Sequence, residues 1–426
     1  MNNFETDKSV KVVLVGLELP GDENNTASLE ELARLVDTAG GECFGILSQV
    51  RDAPDVRTCI GKGKIEELKE ICSSNDIELV VFDCELSPSQ IRNISDELDG
   101  PDVIDRSMLI LDIFALHAVT GEGKLQVELA QLGYTAPRLI GKGKELSRLE
   151  GRIGTRGPGE SKLETDRRHI HRRMDSLRRE LAEIEKNRAT MRVARDRSGV
   201  LKAAIAGYTN AGKSTLTNAL CNSDILAEDK LFATLDPTTR RYTLPDGTEL
   251  LLTDTVGFIR NLPHQLISAF RSTLEEVKYA DFIIIVIDAS DPEASSQTAV
   301  TEKLLADLGA DSKPRVYVFN KIDLCEERPF IPESGMTDGF YACAVSAVTG
   351  EGFGRLTELL QTVAHLGKRK VSLFFPYGSE GYLNKLYGLT SVDSVEYGEE
   401  GTTVSLSADS KIIGMFSEFL AVDDVE

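Results

Sequence analysis

Between residues 9 and 104 short apolar runs alternate with segments of helical spacing. VKVVLVGLEL, ECFGILSQV and IELVVFDCEL are separated by SLEELARLVDTAG and by a helix expected from about Lys64, and are followed by SPSQIRNISDELDG. Continuous apolar strands spaced by helices predict a small parallel βα sheet. Ser28 with Glu31, and Ser87 with Pro88 and Gln90, have the spacing of capping boxes and predict helix starts. A mostly apolar stretch at 107–119 then leads into a different period. Leu125, Leu132, Leu139 and Leu146 recur every seven residues, as do Leu163, Ile170, Leu177, Ile184 and Met191, with Met174 and Leu181 between them. Two heptad seams predict an antiparallel helical hairpin whose Met and Leu stripe is core. Gly133 and Pro137 weaken the first helix. The sequence GRIGTRGPGE (151–160) interrupts the pattern at the hairpin tip, and S-K-L-E from Ser161 predicts the second helix start.

Charge changes the reading of that hairpin. The 426-residue chain carries a net charge of −21, yet residues 121–200 hold 19 Lys and Arg against 12 Asp and Glu. One basic module on an acidic body points to a polyanionic partner for the module alone. The tip is a poor nucleotide cradle, because no strand precedes its glycines. Glu160, Glu164 and Asp166 also already occupy the positive end of the helix that follows. It reads instead as a glycine turn presenting Arg152, Arg156 and Lys162, with Arg167, Arg168, Arg172 and Arg173 behind it.

Composition excludes several classes. No apolar run reaches 18 residues, so no spanning helix is expected, and the first residues lack the pattern of a signal peptide. No amphipathic anchor or lipidation signal supports a membrane-linked regulator, although peripheral membrane contact stays open. The seven cysteines are scattered and form no CxxC pair, which predicts thiols in a reducing, cytoplasmic setting without disulfides or zinc.

The chemistry begins after residue 199. The apolar run VLKAAIAG leads into Gly207-Tyr208-Thr209-Asn210-Ala211-Gly212-Lys213-Ser214-Thr215 and then a helical pattern. A strand, this glycine loop and a helix in that order predict a P-loop. Its N–H groups converge on phosphate, Lys213 reaches the β- and γ-oxygens, and Ser214 ligates Mg²⁺. Three further segments select guanine. LLLTDTVG ends a strand at Asp254, placed to hold Mg²⁺ through water. Thr255 and Val256 follow, and the N–H of Gly257 is free for the γ-phosphate. VYVFNKID ends in Asn320-Lys321-Ile322-Asp323, whose carboxylate can accept from guanine N1–H and the 2-amino group. Adenine offers neither. Ser346-Ala347-Val348 can present backbone to guanine O6. Phe232-Ala233-Thr234-Leu235-Asp236 and the following Thr238 form the switch expected to complete the Mg²⁺ shell, with Thr234 and Thr238 both open as its ligand. Phe258 follows DTVG, and an apolar ring cannot orient water, so intrinsic hydrolysis is expected to be slow.

These motifs, with the RGPGE-S-x-L-E-x-D-RR tip, FATLD, DTVGFI, NKID and SAV, resemble the HflX family of ribosome-associated GTPases in the Obg–HflX group. The resemblance implies Thr234 as the switch ligand, hence Ser214 and Thr234 on the metal and Lys213, Thr234 and Gly257 as the catalytic set. It implies GTP as substrate and GDP as product. It further implies binding to the large ribosomal subunit, with the tip against ribosomal RNA, and separation of stalled ribosomes under stress. A nucleotide-gated adaptor, whose hairpin docks a protein, is the alternative. The protein is expected to be a monomer when free. The expected fold is multidomain α/β: an N-terminal α/β domain (1–119), the hairpin (120–198), a GTPase domain with a mostly parallel sheet and helices on both faces (199–368), and a small, acidic α+β domain (369–426).

Overall fold

The computed structural model describes residues 9–21, 25–137, 158–196, 200–221, 232, 238–260, 276–328, 340–366, 369–387, 389–390, 392–408 and 410–421. The apolar runs at the start form β1 (Val10–Glu18), β2 (Gly41–Val50), β3 (Leu79–Phe82) and β4 (Asp102–Asp105), parallel in the order β2-β1-β3-β4. Helices α1 (Asn25–Thr38), α2 (Lys62–Asn75), α3 (Pro88–Leu98) and α4 (Arg106–His117) connect and extend it. α1 and α4 cover one face, with Leu32, Leu35, Ile110 and Phe114 buried. α2 and α3 cover the other through Leu68, Ile94 and Leu98. The capping box at Ser87 is formed, with Pro88 beginning α3. The one expected at Ser28 is not: α1 already starts at Asn25. Ser28 Oγ and its carbonyl instead accept hydrogen bonds from Arg106, and Glu31 pairs with the same guanidinium. A buried arginine claimed the groups that would otherwise cap the helix.

The hairpin consists of α5 (Gly121–Thr135) and α6 (Pro158–Asp196). Two ion pairs show the antiparallel register: Glu128 binds Arg173 at 2.6 Å, and Glu122, earlier in the chain, binds Arg188, which lies later, at 2.9 Å. On α6, Met174 and Leu177 are buried and Ile170, Leu181 and Ile184 half-buried, so the heptad seam is core. On α5 the deepest apolar residues are Val127, Ala130 and Tyr134, while Leu125 and Leu132 are only half-buried. The reason is that α5 packs against α4 as well as α6, so its buried face is wider than a two-helix seam. α6 begins at Pro158, not at Ser161, since proline fits the first turn, where an N–H has no helical partner. Leu139, Leu146, Arg152 and Arg156 lie outside the described residues, as do the side chains of Lys162, Leu163 and Met191.

The central sheet has six strands in the order β10-β9-β8-β5-β7-β6. They are β5 (Leu201–Gly207), β6 (Thr238–Thr243), β7 (Glu249–Asp254), β8 (Phe282–Asp288), β9 (Arg315–Asn320) and β10 (Phe340–Ala344), with β6 alone antiparallel to its neighbour. Along β5, Ala203 and Ile205 face one core, and Ala204 and Ala206 the other. Helices α7 (Lys213–Cys221) and α9 (Phe353–Ala364) lie over the first and α8 (Ala294–Asp307) over the second. β11 (Arg369–Pro376), α10 (Glu380–Tyr387), β12 (Ser394–Tyr397), β13 (Gly401–Ala408) and α11 (Ser410–Met415) make a small antiparallel sheet, ordered β11-β13-β12, with its own core around Phe375, Val404 and Phe416.

The core of α1 and α4 runs without a break into the face of the central sheet that carries Ala204 and Ala206. At that junction Phe114 meets Phe232 edge-on at 4.6 Å, and Arg106, 2% exposed, is held by Glu31 and by Asp83 at 2.6 Å. Removing the arginine strands two carboxylates in a buried place, a loss of about 3–5 kcal/mol. Arg106→Met is therefore expected to lower the first thermal transition markedly, and differential scanning calorimetry of the full chain checks it. An unchanged transition would show that the cluster contributes no stability.

Candidate nucleotide site

β5 ends at Gly207, whose φ of +151° and whose position, 2.3 Å between a hypothetical Cβ and Val286 O, admit only glycine. The loop that follows closes onto the amino end of α7. Lys213 is buried, and its ammonium donates to the Tyr208 carbonyl at 2.7 Å. Burial pushes Lys213 down to about 8, the neighbouring Asp254 opposes this, and Lys321 adds to it. An anion seated here restores the charge that burial disfavours. Thr209 is buried, and its hydroxyl has no hydrogen-bond partner among the described residues. Asn210 is exposed in the left-handed region at φ 61°, Ala211 is buried and Thr215 half-buried.

The end of β7 lies alongside. The Ser214 hydroxyl donates to Asp254 at 2.7 Å. Thr255 is occupied structurally, its hydroxyl donating to the Ile205 carbonyl at 2.7 Å, and Val256 is buried. A Cβ on Gly257 would stand 2.9 Å from the Lys213 ammonium, so the backbone there presses directly on the loop. Phe258 completes the clamp: its N–H donates to Gly207 O at 3.0 Å, and its carbonyl accepts from Thr209 N at 2.8 Å. The Phe258 ring is core, 2% exposed.

Asn320, at the end of β9, ties the third and fourth segments to the first. Its amide donates to the Ala211 carbonyl at 2.9 Å and accepts from Ala347 N–H at 3.0 Å. Lys321 (φ 63°) pairs with Asp288 at 2.7 Å. Ile322 is buried, and Asp323 projects as an exposed carboxylate. Ser346 is fully buried with its hydroxyl accepting from Thr349 N–H, Ala347 is buried and Val348 is 79% exposed. Residues more than a hundred positions apart thus surround one loop.

Of the predicted stretch Phe232–Asp236, one residue is described. Phe232 is in the core against Phe114, where its ring cannot face a ligand. Ala233, Thr234, Leu235 and Asp236 lie outside the described residues. Asp288 was missed, although FIIIVIDAS is the same signal as LLLTDT and VYVFNKID: a buried strand ending in an acid. Arg260 was missed too, and nothing in its sequence context marks it. Its backbone N–H donates to the Tyr208 hydroxyl at 2.8 Å and its guanidinium binds Glu293 at 2.6 Å. For a magnesium ion the described donors fit: a serine hydroxyl and a carboxylate, hard oxygens already within 2.7 Å of each other.

Gly212 offers a direct test of the Asn320 contact. A Cβ there would lie 2.3 Å from the Asn320 amide nitrogen, whereas Gly247, with a similar φ of +85° against +89°, has nothing within 4 Å. Gly212→Ala is expected to weaken GTP binding at least about tenfold, a 1.4 kcal/mol effect. Gly247→Ala, which carries the backbone strain alone, should leave binding nearly unchanged. Fluorescent-nucleotide titration of both variants checks this, and equal losses would refute the role of the contact.

Residues 26–115 match the family model described as "GTP-binding GTPase N-terminal", 117–195 the "GTP-binding GTPase Middle Region" and 202–321 the "50S ribosome-binding GTPase". The chain is 46% identical to GTPase HflX of Caldanaerobacter subterraneus subsp. tengcongensis over 420 residues, 99% of this chain and 96% of the relative. It is 39% identical to GTPase HflX of Escherichia coli over 96% of this chain and 95% of that one. Among solved structures it is similar to a GTP-binding protein of Sulfolobus solfataricus in complex with GDP, at 26% identity and a TM-score of 0.43, over 83% of this chain and 98% of that one. No described helix is long and apolar enough to cross a membrane. Identity at this level along almost the whole length establishes the kinship: the chain belongs to the HflX family of GTPases.

Proposed function

We propose that this GTPase docks on the large ribosomal subunit and couples GTP hydrolysis there to the splitting or rescue of stalled ribosomes. The observation that carries the reading is the basic face of α6. Arg167, Arg168, Arg172 and Arg179 are exposed there, on a chain of net charge −21, and the hairpin leads to the Arg152, Arg156 and Lys162 segment. Arginines in a glycine-rich segment suit the phosphates and irregular backbone of RNA. The match of 202–321 to a 50S ribosome-binding GTPase model supports the same partner. A protein-docking hairpin would need an apolar exposed seam, whereas Ile170, Met174, Leu177, Leu181 and Ile184 of α6 are buried or half-buried.

Within the nucleotide site, Gly207–Thr215 is assigned to the phosphates, Asn320–Asp323 and Ser346–Val348 to guanine, and Ser214 with Thr234 to Mg²⁺. A Mg²⁺ ion held by these residues would supply positive charge to neutralise the phosphate oxygens. Lys213 stabilises the charge that develops on the transferred phosphoryl group, and the Gly257 N–H meets the γ-phosphate. Phe258 is committed to the core and cannot orient water, so turnover in the free protein is slow and rises on the ribosome.

Asp323→Asn is expected to exchange base preference. It puts a donor against guanine's 2-amino group and favours the carbonyl of xanthine. Competition of GTP with xanthosine triphosphate measures this, and full retention of GTP affinity with no gain for the xanthine nucleotide would remove Asp323 from the base pocket. Replacing Arg152, Arg156 and Lys162 together by Ala should make the salt dependence of ribosome affinity shallower, by up to about three phosphate contacts. Basal GTP hydrolysis should stay within a few-fold, while ribosome-stimulated hydrolysis falls. Sedimentation with ribosomes at several salt concentrations checks it; an unchanged slope would favour the adaptor reading.

A further inference from the structure

Outside the nucleotide site, two thiols face each other at the carboxyl edge of the N-terminal sheet. Cys59 Sγ and Cys84 Sγ are 3.1 Å apart, inside the ordinary contact distance of two thiols and beyond the ~2.05 Å of a bond. They come from different loops: Cys84 lies two residues past β3, and Cys59 just before α2. The Cys59 loop is a built turn. Asp55 and Cys59 exchange both backbone hydrogen bonds, at 2.7 and 2.9 Å, and the Asp55 carboxylate accepts from Arg57 N–H and Thr58 N–H. This closed turn holds Cys59 in the left-handed region at φ 65°, an uncommon setting for a residue other than glycine, asparagine or aspartate. α3 braces the turn from outside, with Gln90 donating to Asp55 O, Asn93 to Arg57 O and Glu97 pairing with Arg57. Both loops are therefore fixed relative to each other before any bond exists.

We infer that Cys59 and Cys84 form an oxidation site that a hydroperoxide closes to a disulfide. One thiolate attacks the peroxide, breaking the O–O bond, leaving a sulfenic acid and releasing an alcohol, or water from hydrogen peroxide. The second sulfur then forms the S–S bond, and hydroxide departs with that thiol's proton as water. Two thiols and one hydroperoxide thus give one disulfide, one alcohol or water, and one further water. The hydrogen bond from Cys84 holds the Cys59 thiol below the ordinary thiol range, and the same bond with burial raises Cys84. Half-buried Cys84 provides the side open to a small oxidant, and Cys59 Sγ stands in contact behind it to close the bond. The other described thiols are scattered singly: Cys72 and Cys343 are buried, and burial raises both. A disulfide made and broken in this way belongs to redox response, the use such bonds have in reducing compartments.

The test treats the full-length protein with hydrogen peroxide, alkylates the remaining thiols and digests with trypsin and Asp-N, which separates Cys72 from Cys84. The expected result is a Cys59 peptide joined to the Cys84 peptide with the loss of two hydrogens, while Cys72 and Cys343 are recovered alkylated. The same treatment should raise the thermal midpoint of wild type, dithiothreitol should reverse the rise, and Cys84→Ser should show neither rise nor link. Sulfinic acid at either cysteine without a link, or alkylation of both to the same extent as Cys343, would overturn the assignment. So would a link that forms only in denaturant.

Discussion

Glu31 lies between Tyr208 and Arg106, and burial obliges the three to stay together. Arg106 is 2% exposed and has no solvent to fall back on, so it holds Glu31, Asp83 and Ser28 at once. Glu31 also hydrogen-bonds the hydroxyl of Tyr208, and burial with that carboxylate raises the phenol well above its ordinary range. Tyr208 is the second residue of the phosphate loop, and its hydroxyl in turn accepts the Arg260 N–H from the segment after DTVG. Separating α1 from the central sheet would leave the Arg106 pairs intact but strip the buried Tyr208 hydroxyl of its carboxylate partner, a loss of about 1–3 kcal/mol. The loop is thereby positioned from outside as well as from its own strand.

Asn320 does the corresponding work on the other side. One side-chain amide satisfies the Ala211 carbonyl and the Ala347 N–H, so the loop, NKID and SAV segments have a shared fixed point. Held between Tyr208 and Asn320, and clamped along its length by Phe258, the loop has its shape before a ligand arrives. That is the preorganisation electrostatic catalysis requires. The hairpin is built on the opposite principle. Its two helices are joined by a narrow apolar seam and by ion pairs such as Glu128–Arg173, and the described surface of α6 is largely exposed, with Lys and Arg outnumbering Asp and Glu. The basic surface sits on the hairpin and the phosphate loop on the central sheet, with the α1–α4 core between them.

Local signals were sufficient wherever one segment carries its own physics. The period of two or of continuous apolar residues marked the strands, the heptads marked the α6 core, and Ser87 with Gln90 marked a cap, because each depends on neighbours within a few residues. The nucleotide motifs were legible for the same reason, since the loop, DTVG and NKID each bring backbone and side chain together within a short span. The readings that failed did so where a distant partner competed. Ser28 and Glu31 have capping spacing but were taken by Arg106, which is 78 residues from Ser28. Leu125 and Leu132 have heptad spacing, but α4 widened the buried face of α5.

The sequence by itself therefore determined the element types, the guanine-nucleotide chemistry and the separation of a basic hairpin from an acidic body, all encoded in short-range spacing and composition. Only the tertiary structure decided that Tyr208 meets Glu31 on α1, that Phe232 and Phe258 are core, that Asp288 pairs with Lys321, and that Cys59 meets Cys84. Each of those is a contact between residues far apart in the chain, set by how the sheets stack and by which buried charge must find its partner. No local period records it.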